Sequence, residues 1–377
     1  MAYSYCHGGD IETFVSEFGA QPIDLSANIN PFGVPEAVRA AMHRAVDECV
    51  HYPDPFCRAA RQAVAEAEGI PADMVYCGNG AADVLDRLAA VLRPKRVLLT
   101  APTFAEYERT LTDAKIDFHM LRESEDFAVT ERLLSDISSK YDAVYLCNPN
   151  NPTGALYPKE VLEGIVEIAR QHHLIIFSDE IYDRLVMDGG EHISIASLAP
   201  DLFCVTFSGL SKSHMIAGFR IGWMILSGNK SIAKDYMEGL NMLSNMRLCS
   251  NVPAQSIVQT ALGGHQSVNG YIVPGGRIYE QREYIYKALN DIPGISAVKP
   301  KAAFYIFPKI DTKKFNIYDD EKFALDLLRE KKILIIHGAG FNWGEPDHFR
   351  VVYLPRIEVL KDAVDKMEDF LKTYKQR

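Results

Sequence analysis

Short, continuous runs of apolar residues alternate along the first two-thirds of the chain with segments whose apolar residues recur at helical spacing. The clearest helical segment is Lys159–Gln171, whose apolar residues at positions 161, 162, 165 and 168 fall on one face. Strands that are apolar on both faces and are separated by helices are typical of a parallel sheet covered on both sides. The pattern therefore predicts an α/β fold with mainly parallel strands at Val97–Thr100, Ala143–Cys147, Leu174–Ser178 and Leu202–Phe207.

The last third of the chain has a different order of elements. A long amphipathic segment, Arg277–Asn290, precedes several short β-type runs and two further helical segments. Strands and helices in this order favour a smaller α+β unit. Its strands are predicted at Ile295–Lys299, Phe304–Phe307, Ile333–Ile336 and His348–Leu354, and its later helices near Asp319–Lys331 and Glu358–Lys375.

The length of 377 residues suits an enzyme built from two parts. The first 44 residues are irregular and rich in Pro, Gly and Asn, and we expect them to form an N-terminal arm and part of the smaller domain. Residues 45–270 are predicted to form the large domain, and residues 271–377 the small C-terminal domain.

Composition and charge exclude several classes of function. Hydrophobic residues make up 47% and charged residues 24%, as in an ordinary globular protein. The net charge of −10 argues against binding to nucleic acids or anionic membranes. The seven cysteines are scattered, which indicates reduced thiols and no clustered metal site. The start MAYSYCHGGD has no signal-peptide pattern and no apolar run approaches 18 residues, so we expect a cytoplasmic protein without a membrane span.

The strongest candidate for chemistry is a lysine that follows an apolar strand and is flanked by hydroxyl groups. Lys212 lies in the run from Ser208 to His214, with Ser211 directly before it and Arg220 eight residues on. Such a lysine could form a Schiff base with an aldehyde cofactor. The serines and the arginine could hold that cofactor's phosphate. The alternative interpretation is a solvated loop lysine.

Two further candidates follow predicted strands. Asp179 and Tyr182 come directly after the run LIIFS, at the edge where open parallel sheets bind ligands. The carboxylate could keep a pyridine nitrogen protonated and the phenol could bond a ring oxygen, although an aspartate there is more often a helix cap. Asn151 lies in the turn NPNNPTG after AVYLC, where it could contact a cofactor oxygen or serve only the turn.

A fourth candidate is the small-residue turn that opens a predicted helix. Gly80, Ala81 and Ala82 follow Cys77, so backbone N–H groups are accessible to a phosphate at the helix N-terminus. The turn is no dinucleotide fingerprint, because Asp83 stands where the third glycine would be.

Together these motifs resemble the fold-type I, pyridoxal-phosphate-dependent aminotransferases of class I and II, over nearly the whole chain. The resemblance implies an aspartate aminotransferase-like fold, pyridoxal 5′-phosphate as cofactor, no metal, and a homodimer. It implies catalytic roles for Lys212, Asp179 and Tyr182, with Lys212 as the Schiff-base lysine. Its other implied cofactor contacts are Gly80, Ala81, Ala82, Phe104, Asn151, Ser208, Ser211, Arg220 and, from the partner subunit, Tyr52.

Arg350 in the run FRV matches the family's arginine for the substrate α-carboxylate, with Asn151 beside it. One departure is Gly209, since many relatives carry serine at that position. From NPNNPTG onward the chain resembles bacterial glutamate–pyruvate (alanine) aminotransferases. Up to about residue 145 it resembles threonine-phosphate decarboxylases and histidinol-phosphate aminotransferases, in which His7 and Asn30 match residues lining the far end of the substrate pocket.

The expected function is transfer of an amino group between an L-amino acid of the alanine or glutamate type and a 2-oxo acid. The alternatives are decarboxylation of O-phospho-L-threonine and transamination of histidinol phosphate. We favour the first because the run from His337 to Gly344 carries no arginine for a substrate phosphate. A non-catalytic regulator is disfavoured because residues 1–45 are too short and not basic enough for a DNA-binding domain.

Overall fold

The computed structural model describes residues 11–229, 231–248 and 250–377. Its strands are β1 Ile23–Asp24, β2 Val75–Gly78, β3 Arg96–Ala101, β4 Lys115–Met120, β5 Ala143–Cys147, β6 Ile175–Asp179, β7 Cys204–Gly209, β8 Gly222–Ser227, β9 Ile295–Ser296, β10 Tyr305–Ile306, β11 Lys309–Ile310, β12 Ile333–Leu334, β13 Ile336–His337 and β14 Phe349–Val352. Its α-helices are α1 Ile11–Phe18, α2 Glu36–Glu48, α3 Arg58–Glu68, α4 Ala81–Leu92, α5 Glu106–Thr110, α6 Glu131–Asp136, α7 Lys159–His172, α8 Ile195–Leu198, α9 Leu210–Ser213, α10 Lys234–Arg247, α11 Val252–Ser256, α12 Val258–Gly263, α13 Val268–Tyr271, α14 Arg277–Asn290, α15 Thr312–Phe315, α16 Asp320–Lys331 and α17 Ile357–Thr373.

A seven-stranded sheet with the order β2-β8-β7-β6-β5-β3-β4 forms the larger part of the molecule. Strands β3 to β7 run parallel, whereas β8 is antiparallel to both of its neighbours. The four apolar runs predicted as strands correspond to β3, β5, β6 and β7, which confirms the α/β fold class. The half-exposed edge strand β4 was not predicted, since its sequence KIDFHM mixes polar and apolar residues.

The two faces of this sheet pack on different helices, as the alternation of side chains along a strand requires. On β5, Val144 and Leu146 belong to the core under α7, with Leu162 and Ile165. Tyr145 and Cys147 point the opposite way, into the core under α4 and α10. Both faces of the sheet are therefore covered by helices, which leaves the ends of its strands as the place where a ligand can bind.

The smaller unit is built from short strands and three long helices, α14, α16 and α17. Its central sheet is β10-β14-β13, with antiparallel pairs throughout, and β9 pairs with β11. The predicted strand Ile333–Ile336 is divided into β12 and β13, which belong to different sheets. Helix α16 begins after Asp319, whose carboxylate caps it by accepting a hydrogen bond from the Lys322 N–H over 2.9 Å.

The segment near the N-terminus is hydrogen-bonded to the smaller unit. Strand β1 pairs in parallel with β12, Ile23 opposite Ile333. Helix α2, in contrast, packs with α3, α11 and α12 in a separate core. The predicted division after residue 44 falls within α2, and the assignment of residues to domains stays a prediction. In the ranges described, no helix is both long and apolar enough to cross a membrane.

Candidate active site

The parallel strands β5, β6 and β7 end side by side, and the turn after β2 reaches the same edge. Cys147 lies opposite Asp179 and Asp179 opposite Phe207, while Gly78 and Gly209 both pair with Gly222. A cavity of about 220 Å³ opens at this edge and is closed on the other side by Tyr305 and Arg350 of the smaller unit. Ten residues predicted from the sequence line it: Ala81, Ala82, Phe104, Asn151, Asp179, Tyr182, Ser211, Lys212, Arg220 and Arg350.

Lys212 lies in the short helix α9, which directly follows β7. Its amine is 5.8 Å from the centroid of the Tyr182 ring. Burial, reinforced by the positive charge of Arg350, lowers the pKa of the Lys212 amine to about 7, although Asp179 opposes the shift. A substantial fraction of this amine is therefore neutral at pH 7, as a nucleophile or base must be.

Asp179 is the last residue of β6 and is 4% exposed. Its carboxylate accepts hydrogen bonds from the Tyr107 hydroxyl over 2.6 Å and from the Ile181 N–H over 3.1 Å. Burial raises the pKa of Asp179 to about 6, and these two donors counteract that shift. A buried carboxylate held in this way can stabilise a positive charge on a ligand in the cavity.

Tyr182 is connected to two residues that the sequence analysis did not select. Its hydroxyl shares a short hydrogen bond with that of Tyr305. The Tyr305 hydroxyl in turn accepts a hydrogen bond from the Asn28 side chain over 2.6 Å. Burial raises the pKa of Tyr182 well above its ordinary value, so this phenol stays protonated at neutral pH.

Arg350 extends from β14 into the cavity and is 4% exposed. One guanidinium nitrogen donates to the Asn151 side-chain oxygen over 3.0 Å, and another to the Ser26 carbonyl. The guanidinium carbon lies 4.6 Å from the Tyr305 ring centroid and 4.8 Å from that of Phe341. Its buried Nε has no partner among the residues described. Such a fixed, planar donor suits a carboxylate ligand.

The opposite end of the cavity suits an anion. Gly80 has φ +87°, and a Cβ there would lie 2.3 Å from Nη2 of Arg220. Likewise, a Cβ at Gly222 would lie 2.3 Å from the Ala81 backbone nitrogen. Gly80 therefore lets the Arg220 guanidinium approach the start of α4, and Gly222 lets the first turn of α4 lie directly against β8. A helix N-terminus beside an arginine is a binding site for a phosphate group.

Three predicted residues lie elsewhere. Ser208 is on β7, opposite Trp223, and does not line the cavity. Asn30 lies in a neighbouring cleft, where its side chain bonds the Gly33 carbonyl and the Phe32 N–H. Tyr52 is 87% exposed in a surface groove. His7 lies outside the described residues.

Five lining residues were missed, namely Asn28, Tyr107, Ile181, Ala217 and Tyr305. Tyr107 lies three positions after Phe104, so one further helical turn would have indicated it. Tyr305 lies in the predicted strand Phe304–Phe307, and Asn28 lies in the irregular first 44 residues. No sequence pattern near Tyr305 or Asn28 indicated a site, because both residues reach the cavity through the packing of the smaller unit.

Comparison with known proteins identifies the class of enzyme that this fold and cavity represent. Residues 20–367 match the family described as aminotransferase class I and II. The chain belongs to this family, and it is an aminotransferase, as the motifs predicted.

Three individual proteins show which members of the family this chain resembles. The chain is 50% identical to the glutamate-pyruvate aminotransferase AlaA of Haemophilus influenzae over 313 residues, which cover 82% of this chain and 78% of that protein. An aminotransferase structure from Escherichia coli matches with a TM-score of 0.93 and 41% sequence identity. The match covers 99% of this chain and 98% of the Escherichia coli chain. The aspartate aminotransferase of Thermotoga maritima has a TM-score of 0.81 at 28% identity, covering 96% and 95%. The fold is therefore that of the aspartate aminotransferases. The resemblance of the first 145 residues to threonine-phosphate decarboxylases stays untested.

Proposed function

We propose that the protein is a pyridoxal-phosphate-dependent aminotransferase that moves an amino group between L-glutamate or L-alanine and a 2-oxo acid. The observation that carries this proposal is the meeting of Lys212, Asp179 and Arg350 in one cavity. Their chemistry is that of a neutral amine, a buried carboxylate and a carboxylate-binding guanidinium. The 50% identity to a glutamate-pyruvate aminotransferase supports the choice of substrates.

The residues present fit this cofactor. The anion-binding end of the cavity, formed by Ala81, Ala82 and Arg220, would take its phosphate, with Ser211 beside them. Asp179 would hold the proton on its ring nitrogen, and Tyr182 would donate a hydrogen bond to its ring oxygen. Two buried atoms that have no hydrogen-bond partner among the described residues, Nε of Arg350 and Oδ1 of Asn28, support the presence of a polar ligand in this cavity.

Bound pyridoxal phosphate would supply an aldehyde that bonds reversibly to amines and a ring that accepts the electron pair released at the substrate Cα. The protein supplies the rest. Arg350 and Asn151 would fix the substrate α-carboxylate and thereby decide which bond at Cα stands perpendicular to the ring. Lys212 would act as the base that takes the proton from the substrate Cα and as the acid that gives a proton back, as an amine with a pKa of about 7 can do.

Phosphorylated substrates are disfavoured by the arginines of the cavity. Along the part of its wall that the structure describes, Arg220 and Arg350 are the arginines present. With Arg220 assigned to the cofactor phosphate and Arg350 to the α-carboxylate, a substrate phosphate would need a further cationic partner. Asn30, which resembled a residue of the decarboxylases, is occupied within its own turn.

We also propose a homodimer in which Tyr52 reaches the partner's cofactor phosphate. Tyr52 is 87% exposed in a groove next to Asn79 and Arg247. Two large apolar residues next in sequence to residues that line this groove are also exposed, Val50 beside Cys49 by 81% and Met246 beside Arg247 by 78%. Exposed apolar groups in such numbers favour burial against another chain. The cytoplasmic location stays a prediction, from the scattered cysteines.

The deciding experiment supplies the purified protein with pyridoxal phosphate, L-glutamate and pyruvate and measures L-alanine and the 2-oxo acid formed from glutamate. The proposal expects both products in equal amounts, and none from Lys212→Ala. A parallel reaction with O-phospho-L-threonine measures CO₂. Release of CO₂ from that substrate, with no transamination in the first reaction, would replace the aminotransferase by the decarboxylase.

A further inference from the structure

The turn from Gly78 to Ala82 is held from behind by side chains that do not enter the cavity. The carbonyl of Cys77 accepts a hydrogen bond from Arg87 over 2.8 Å, and that of Gly78 accepts one from Ser250 over 2.6 Å. The N–H of Asn79 donates to the Asp83 carboxylate over 2.8 Å. Three consecutive residues, Cys77 of β2 and then Gly78 and Asn79 of the turn, are thus each bonded to a different side chain.

Asp83 is the centre of this arrangement. Its Oδ2 accepts a hydrogen bond from Arg87 over 3.1 Å as well as the one from the Asn79 N–H. Its Oδ1 accepts a hydrogen bond from Arg247 over 2.8 Å. The side chains of Asp83 and Arg87 are 6% and 2% exposed, whereas that of Arg247 is 53% exposed. The Asp83 carboxylate therefore joins α4 to α10 through Arg247, and Arg87, which is also on α4, donates a hydrogen bond to Ser244 of α10. Asp83 is the residue that breaks the dinucleotide pattern in the sequence.

The ion pair is packed directly against the backbone of the turn. A Cβ at Gly78 would lie 2.4 Å from Nη2 of Arg87 and 2.6 Å from Oδ2 of Asp83. On the other side of the turn, Ala81 and Ala82 line the cavity. As the first residues of α4 their N–H groups have no carbonyl partner within the helix. Movement of the ion pair would therefore displace the groups assigned to the phosphate.

A merely stabilising role does not explain this arrangement well. Burying a carboxylate and a guanidinium carries a desolvation cost that often cancels their attraction, and apolar residues of similar size would pack α4 at least as well. What the charged pair provides is a fixed geometry for specific backbone groups. Moreover, two arginines on one carboxylate leave a net positive charge behind the anion-binding end.

We propose that Asp83 is a positioning residue for the cofactor phosphate: together with Arg87 and Arg247 it holds the Gly78–Ala82 turn so that the N–H groups of Ala81 and Ala82 are presented to the phosphate. The inference rests on the proposed function. It assigns to Asp83 no contact with the cofactor or the substrate. Its effect is therefore confined to ligands that carry the phosphate.

The test compares two ligands that differ only in the phosphate. Apoenzyme of wild type, Asp83→Asn and Asp83→Glu is titrated with pyridoxal phosphate and with pyridoxal. Asp83→Asn is expected to weaken binding of pyridoxal phosphate by roughly tenfold or more, the loss typical of a charge-assisted contact network. Binding of pyridoxal should change little, and Asp83→Glu should recover part of the loss. The matched control is Asp86→Asn, an exposed aspartate of the same helix, which should bind both ligands as wild type does.

An equal loss for both ligands in Asp83→Asn, or no loss, overturns the inference. Should that variant fail to fold, Arg247→Gln replaces it, because this side chain is half exposed. It should show the same selective weakening to a smaller extent, and wild-type affinity for pyridoxal phosphate would contradict the inference. If wild type itself binds no pyridoxal phosphate and transfers no amino group, the proposed function fails. If the wild type binds pyridoxal phosphate and transfers the amino group, but the variants show no selective loss of binding, only the inference about Asp83 fails.

Discussion

Arg350 donates a hydrogen bond to the side-chain oxygen of Asn151 over 3.0 Å, although the two residues are 199 positions apart. Asn151 belongs to the turn after β5 of the large sheet, and Arg350 to β14 of the smaller unit. The contact joins the two parts of the molecule at the place assigned to the substrate α-carboxylate. If this assignment holds, the two parts have to be correctly packed together before an amino acid can bind.

Replacement of Arg350 by lysine tests this assignment. Lysine keeps the charge but loses the planar fork and the stacking on Tyr305, so KM for the amino acid should rise by roughly ten- to a hundredfold. The change in kcat should be smaller. Steady-state kinetics with L-alanine and L-glutamate measure both. Arg356→Lys, at an exposed arginine six residues on, is the control and should leave KM unchanged. An unchanged KM in Arg350→Lys would remove Arg350 from substrate binding.

The pH dependence of cofactor attachment tests Lys212. An amine attacks an aldehyde only when neutral, and with a pKa of about 7 half of the Lys212 amine is neutral near that pH. The rate at which apoenzyme takes up pyridoxal phosphate should therefore rise with pH, with its midpoint near the pKa of Lys212, and level off roughly one to two pH units higher.

Arg350 is one cause of that lowered pKa, so Arg350→Met should move the midpoint of the profile upward. Lys159→Ala, at an exposed lysine, should leave it in place. Borohydride treatment followed by peptide mapping identifies the attached residue. A pyridoxyl group found in Lys212→Ala would show that another lysine forms the bond.

Asp179→Asn should keep the fold and bind pyridoxal phosphate, yet lose most of its activity. An amide cannot compensate a positive charge on the ring nitrogen, and electrostatic contributions of this kind are worth several kcal/mol, or about a hundredfold or more in kcat. Circular dichroism and stopped-flow kinetics separate folding from turnover. The matched variant is Asp183→Asn, since Asp183 also has a pKa raised to about 6 by burial but does not line the cavity. Equal losses in the two variants would show that Asp179 has no special role.

Tyr52 is the test of assembly. If its hydroxyl bonds the phosphate in the partner's site, Tyr52→Phe should weaken pyridoxal phosphate binding by roughly five- to tenfold without dissociating the dimer. Light scattering gives the oligomeric state and a cofactor titration the affinity. Tyr318→Phe, which is also exposed, should bind as wild type does. A fully active monomer would contradict both the dimer and the role of Tyr52.

Local patterns were sufficient for the centre of the molecule. The strands β5, β6 and β7 are continuous apolar runs, and the residues that follow them in the sequence, among them Asn151 and Lys212, lie at their ends in the structure. Because parallel strands end at a common edge, residues far apart in sequence could be expected to meet there.

The periphery of the site could not be predicted in the same way. Tyr305 and Asn28 reach the cavity because the smaller unit folds over it, and no periodicity reports that approach. Ser208 was selected because it lies near Lys212 in sequence, but successive residues of a strand point to opposite faces. The role proposed for Tyr52 depends on a second chain, whose position a single sequence does not contain.

Arg350 also donates a hydrogen bond to the carbonyl of Ser26, 324 residues earlier in the chain. During synthesis at about 5–20 residues per second, the segment around Ser26 leaves the ribosome tens of seconds before its partner exists. Until then β1 lacks its partner strand β12, and Arg350 is absent from the wall of the cavity. The large sheet, complete by residue 227, can form meanwhile. If Arg350 holds the substrate carboxylate as proposed, the nascent protein cannot bind substrate until residue 350 has been synthesised, and a truncation that removes Arg350 would abolish binding.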